Sequence, residues 1–251
     1  MDEAETLVTA AMVAAFVAIH LLIYRLHFID KTPRSKWLSF SGGVAVAYIF
    51  LHVLPDLGAH AQTLADEMQV NPVGAESIIY ALALAGLAAF YGLERRVKIS
   101  RARSRETGQG DRTETGVLWL HVASYALLNL LVGYLLLHRE EAGGWALALY
   151  FGAMALHFLT ADYGMRADHK EGYDAWGRWV LAAAVIAGWL MGLAVTLPGP
   201  WIAGLFAFLA GGIVLGVLKE ELPEERQSFF LPFLGGVLIY AALVLVERTG
   251  V

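Results

Sequence analysis

His52 and Asp56 stand four residues apart, His157 and Asp162 five apart, and His121, Tyr125 and Asn129 follow one another at intervals of four. Imidazoles, carboxylates and amide oxygens are the side chains that take transition ions or hand on protons. On a helix, residues four apart drift by only about 40°. His52 and Asp56 therefore offer two ligands, or a proton relay, on one face. His121, Tyr125 and Asn129 form one polar stripe. His157 and Asp162 are about 140° apart and do not share a face. Acidic residues gather again at Glu220, Glu221, Glu224 and Glu225, where the spacing reads as a solvated helix end. No nucleophile–base pair and no His-Glu-x-x-His helix occurs, so an enzyme is not expected.

These polar residues are set in apolar surroundings. Of 251 residues, 58% are hydrophobic and only 16% charged, against about a quarter in soluble domains. Mean hydropathy is +0.57. The chain has no cysteine, which excludes disulfides, thiolate metal sites and thiol redox chemistry. Long apolar runs between short polar patches predict an all-helical polytopic membrane protein. Eight spans are expected, at 6–28, 38–57, 77–93, 116–137, 144–164, 178–196, 200–218 and 228–246. The acidic start, Met-Asp-Glu-Ala-Glu, is the wrong flank for a cleaved signal peptide, so the first run reads as a retained span.

Orientation follows from the basic residues. All 18 lysines and arginines except Arg139 and Arg248 fall in the loops after spans 1, 3, 5 and 7. The positive-inside rule then places both termini outside the cytoplasm, in a bacterial-type plasma (inner) membrane. The segment Ile99–Glu114, basic and rich in Ser, Gly and Thr, reads as a mobile cytoplasmic linker that anchors topology. Its arginines also suit anionic headgroups. His121 and His157 fall at similar depths in the inner half of their spans. Asp162 falls near the cytoplasmic boundary, Asp168 and His169 in a loop, and His20, His27, His60 and His138 near interfaces with no special role. Seven tryptophans mostly mark span ends.

One stretch repeats. Residues 41–57 align without a gap to 210–224, matching Gly43 with Gly211, Val46 with Val214, Leu54 with Leu222, Pro55 with Pro223 and Asp56 with Glu224, while His52 meets Glu220. The orientation makes one copy run outward and the other inward. An inverted repeat of three-helix units is a recurrent plan of transporters.

With Gly42-Gly43 through His52-Val53-Leu54-Pro55-Asp56, and Ala210-Gly211-Gly212 through Glu220-Glu221-Leu222-Pro223-Glu224, the chain resembles the ZIP (Zrt/Irt-like) divalent-metal transporters in their second and seventh helices. Residues 178–196, with Gly188 and Gly192, look like that family's small-residue sixth helix. The resemblance implies a single membrane domain: 1–98 as the first three-helix unit, 99–115 as linker, 116–164 as central helices 4 and 5, and 178–251 as the second unit. Gly42, Gly43, Gly188, Gly192, Gly211 and Gly212 would pack helices closely. The family's helix 4 carries His-Asn/Ser-x-x-acid-Gly and its helix 5 His-Glu-x-Pro-x-Glu. Here one alignment puts Tyr125 and Asn129 in place of the helix 4 histidine and acid. Another, which keeps Gly133, puts Ser124 and Leu128 there. Helix 5 reads His157-Phe-Leu-Thr-Ala-Asp162.

By this resemblance the chain is expected to be a divergent carrier with a reduced metal site drawn from His157, His121, Asn129 and Asp162. Tyr125, His52, Asp56 and Glu220 would lie along the pathway. The candidate cargo is a divalent ion (zinc, iron, manganese or cobalt), with no other cofactor. Expected partners are the lipid bilayer and a candidate homodimer, with no nucleic acid. The alternative is a ZIP-fold protein that no longer transports metal and acts as scaffold, sensor or partner subunit.

Overall fold

The computed structural model describes residues 3–25, 36–108, 113–138, 143–221 and 229–249, without the side chains of 220–221 and 247–249. Among them all regular structure is helical. The helices are α1 (Glu3–Leu22), α2 (Lys36–Tyr48), α3 (Leu54–Met68), α4 (Pro72–Glu106), α5 (Thr115–Leu135), α6 (Gly144–Gly172), α7 (Arg178–Ala194), α8 (Gly199–Glu221) and α9 (Phe230–Thr249). Six helical stretches are long and apolar enough to cross a membrane, and Phe230–Val246 is a shorter apolar helix.

Three boundaries depart from the expected ones. The second span does not stop at Pro55 and Asp56. A wider π-type turn, Ile49–Val53, joins α2 to α3, and the chain stays helical to Met68. Proline clashes with the carbonyl four residues back in a regular helix. Here Leu54 N–H bonds instead to the oxygen of Ile49, five residues back, and Pro55 occupies the first turn of α3. The helix ends only where Gln69 turns left-handed, at φ 54°. The third span is likewise extended. Asn71 caps α4 by accepting from Gly74 N at 2.7 Å, and Ile99–Glu106, expected as linker, continues the same helix.

The third departure is at 165–177, expected as a loop. α6 runs through Asp168, leaves helical geometry at His169 (φ −139°, ψ 40°), and reaches α7 by a π-type turn, Tyr173–Gly177. Contacts with α1 show that the chain folds back there. Phe151 and Phe158 of α6 meet Phe16, and Asp162 meets His20, so α6 runs parallel to α1. On α7, Arg178 bonds to Leu21 O while Trp189 reaches back to Thr9, so α7 runs antiparallel to α1. One 51-residue helical stretch thus forms a hairpin.

The closest pairs are parallel and built on glycine. A methyl on Gly43 would collide with Phe233 O, and one on Gly236 with Phe40 O, where α2 meets α9. Gly86 and Gly211 are closed off by Phe208 O and Ala83 O where α4 meets α8. Gly133 and Gly188 are closed off by Val185 O and Leu130 O where α5 meets α7. Without side chains in the way the backbones come into van der Waals contact, the main cohesive force between helices in lipid. These pairs sort the helices into two groups, one of α1, α5, α6 and α7, the other of α2, α3, α4, α8 and α9. The grouping cuts across the consecutive three-plus-two-plus-three division. A shared apolar core from Val13 and Phe16 through Val44, Leu131, Phe158 and Leu209 joins the groups. Ser41 of α2 also bonds to Leu156 O of α6.

Candidate functional site

Polar side chains collect at one end of the bundle, where α1, α4, α6 and α8 finish and α2 and α5 begin. Glu94 of α4 pairs with Lys219 of α8, and its other oxygen lies 3.5 Å from His121 Nε2 of α5. His121 Nδ1 and His169 Nε2 of α6 are 2.8 Å apart. Asp168, one residue earlier on α6, pairs with Arg101 of α4 and lies 3.9 Å from Lys219. Ser100 Oγ accepts from Glu114 N at 2.7 Å, and Thr113 Oγ donates to Asp168 O at 3.3 Å. Two acids, two bases and two imidazoles from four helices therefore make one connected assembly.

Coverage decides what these pairs are worth. Two unit charges about 4 Å apart attract by about 1 kcal/mol in water, but about 4 kcal/mol at the effective dielectric near a protein surface. The Glu94 and Asp168 side chains are 15% and 16% exposed. They belong to the second case.

A separate pair lies between α1 and α6. His20 Nδ1 and Asp162 Oδ2 are 2.7 Å apart, with both residues almost wholly buried. An ionised carboxylate only accepts, so the ring donates to it through Nδ1–H. Tyr173 OH donates to His20 O at 3.3 Å, and the His20 ring leans on Phe158 with centroids 4.8 Å apart. Asp162 is thus a buried, paired acid and not an exposed one. The five-residue spacing that turns it away from His157 is what aims it at α1. His20, expected to have no role, is its partner.

The expected residues are placed as follows. The helix 4 stripe holds together: Tyr125 stands edge-on to His121 at 5.1 Å, and Asn129 Nδ2 donates to Tyr125 O at 2.8 Å. Asn129 Oδ1 and His157 Nε2 are buried without a protein partner among the described residues. His52, in the π-type turn, stacks on Tyr48 and lies 3.1 Å from Tyr240 OH; Asp56 is half-buried a turn later. Among the described residues no group of three or more His, Cys, Asp or Glu is arranged to hold a metal ion. The set His157, His121, Asn129 and Asp162 therefore does not form one ligand cluster, because His121 is taken up by Glu94 and His169 and Asp162 by His20. Glu220 lies in α8, but its side chain and residues 222–228, with Glu224, fall outside the described residues. His60 is buried against Phe206, and His138 Nε2 bonds to Gly192 O at 2.9 Å.

The residues missed from sequence are Glu94, Arg101, Asp168, His169, Lys219 and His20. One signal was present. Glu94 and Arg101 are seven apart and share a helix face, which marks a functional stripe if the helix continues past the apolar run. Comparison with known proteins returns neither a matching family model nor a matching curated protein.

Proposed function

We propose that the chain is a divergent ZIP-type membrane carrier of divalent metal cations. The observation that carries this reading is the buried His157 imidazole, whose Nε2 has no protein partner among the described residues, on the same helix as the buried Asp162–His20 pair. Polar groups in hydrocarbon are costly and as a rule line a pathway or mark a bound ion. An imidazole nitrogen left without a protein partner inside the bundle suits a transition ion passing through, with water completing its shell.

The helix pairing supports the inverted-repeat plan. Counting the 51-residue hairpin as two spans and Phe230–Val246 as one brings six to eight. In span order the parallel pairs are then 2 with 8, 3 with 7, 4 with 6 and 1 with 5. A repeat that exchanges 1, 2 and 3 with 6, 7 and 8, and 4 with 5, turns the first pair into the second and the third into the fourth. Alternating spans also make every such pair parallel, as observed. With the basic end inside, both termini lie outside. The packing favours movement of one helix group against the other as the transport step.

A second reading, a ZIP-fold protein serving as scaffold or sensor, is favoured by the absence of a three-ligand group among the described residues. Uptake of zinc, iron, manganese and cobalt into liposomes separates the two. A carrier moves at least one ion, and His157→Ala lowers its uptake about tenfold or more, the loss expected from removing a main ligand. Equal uptake by variant and wild type would sink the reduced site, and no uptake at all would leave the scaffold reading.

A further inference from the structure

We propose that Glu94, Lys219, Arg101 and Asp168, with His121, are an ionic clasp that closes the inner end of the bundle by tying its two helix groups together. Arg101 and Lys219 belong to the group of α4 and α8, Asp168 and His121 to the group of α5 and α6. Three contacts cross between the groups: Arg101 to Asp168, Lys219 to Asp168 at 3.9 Å, and Glu94 to His121 at 3.5 Å. Glu94 holds Lys219 from within its own group, so Lys219 presents its charge to Asp168 from a fixed place. The two acids and two bases cancel. The assembly is therefore stable when closed and loses paired charge when the groups part.

Its position is the seam where the two groups end. Beside it lies an open apolar groove of about 290 Å³ on the outer face of α4, α5 and α8, lined by Leu93 and the exposed Leu120, the neighbours of Glu94 and His121. A polar pocket of about 500 Å³ lies at the hairpin bend, lined by Thr113, Asp168, His169 and Lys170. Among the described residues the groups also meet through apolar contacts, the Ser41–Leu156 bond and, at the same end, Glu114 with Ser100 and Arg103; the apolar contacts slide more readily than paired charges separate. Opening toward the basic end thus has to break the clasp first.

The clasp rests on the carrier reading only for what it gates, and the test reads the closure itself. The chain has no cysteine, so spin labels at Ile99→Cys on α4 and Lys170→Cys on α6, both exposed, report the separation of the two groups. The otherwise unaltered protein is expected to give one short, narrow distance. Asp168→Asn or Arg101→Gln is expected to raise the long-distance population by about fivefold or more, as loss of a coupling of this kind does. The conservative variant Asp168→Glu, which keeps the carboxylate for Arg101 and Lys219, is expected to restore the short distance lost in Asp168→Asn, which a merely structural role of the side chain does not predict. Unchanged distances in both neutral variants, or failure of Asp168→Glu to restore closure while it still folds, would overturn the clasp. A protein that transports nothing yet shows the opening and its rescue keeps the clasp and loses the carrier.

Discussion

At the scale of single residues, burial separates polar groups that work in place from those that stand ready. His20 and Asp162 are committed to each other, and an apolar site makes separation expensive. Asp162→Ala leaves the His20 Nδ1 proton buried without an acceptor, so it is expected to cost about 3 kcal/mol, the price of breaking a buried pair from one side. Asp162→Asn keeps an acceptor oxygen and is expected to cost about 1 kcal/mol. Chemical unfolding of the detergent-solubilised protein measures both, and equal stability of Asp162→Ala and wild type would show that the pair contributes nothing. His157 is the contrasting case. Its Nε2 bonds to nothing in the described protein, so His157→Ala is expected to move uptake far more than stability.

At the scale of elements, the fold depends on where backbones touch. The α5–α7 contact has Leu130 O against the face of Gly188. Gly188→Ala forces a methyl into that space and is expected to destabilise by about 1–3 kcal/mol, as overpacking of a tight core does. Gly152 of α6 has open space where its side chain would be, and Gly152→Ala is expected to stay within about 0.5 kcal/mol. Equal effects at the two positions would contradict the packing. The same scale explains the continuous second span. The π-type turn supplies the extra residue that Pro55 needs, so the proline bends the hydrogen-bond ladder instead of ending the helix. It also turns His52 toward Tyr240, where a regular helix would have kept it in step with Asp56.

At the scale of the whole molecule, the distribution of charge sets an expectation for which end faces which compartment. The excess of basic residues predicts that the end holding Arg101, Arg166, Lys170 and Lys219 faces the cytoplasm. A membrane-impermeant maleimide applied to intact cells is expected to label Asp66→Cys, an exposed position at the far end of α3, and to leave Lys170→Cys unlabelled until the membrane is opened. Labelling of Lys170→Cys in intact cells would invert the orientation. The two-group packing sets the expected motion. A shared apolar core resists shear weakly because it has no direction, whereas charges paired at one end hold one register.

The sequence by itself determined the all-helical class and the presence of helices long and apolar enough to cross a membrane, because runs of that length satisfy their backbone in a bilayer as helices. It also determined the concentration of basic charge at one end and the small-residue faces. Local spacing was enough for the stripe of His121, Tyr125 and Asn129, since all three lie on one helix. It was not enough for Glu94 with Lys219, or His20 with Asp162, because those partners are 125 and 142 residues apart. Nothing in either segment alone announces the other. Only the tertiary structure decided that α4 and the α6 bend stay helical past their apolar runs, since neighbouring helices give their polar last turns partners that water would otherwise supply. That decision drew His121 and Asp162 away from one ligand cluster and made charged helix ends, which read as solvated loops in the sequence, into a tie between two halves of the molecule.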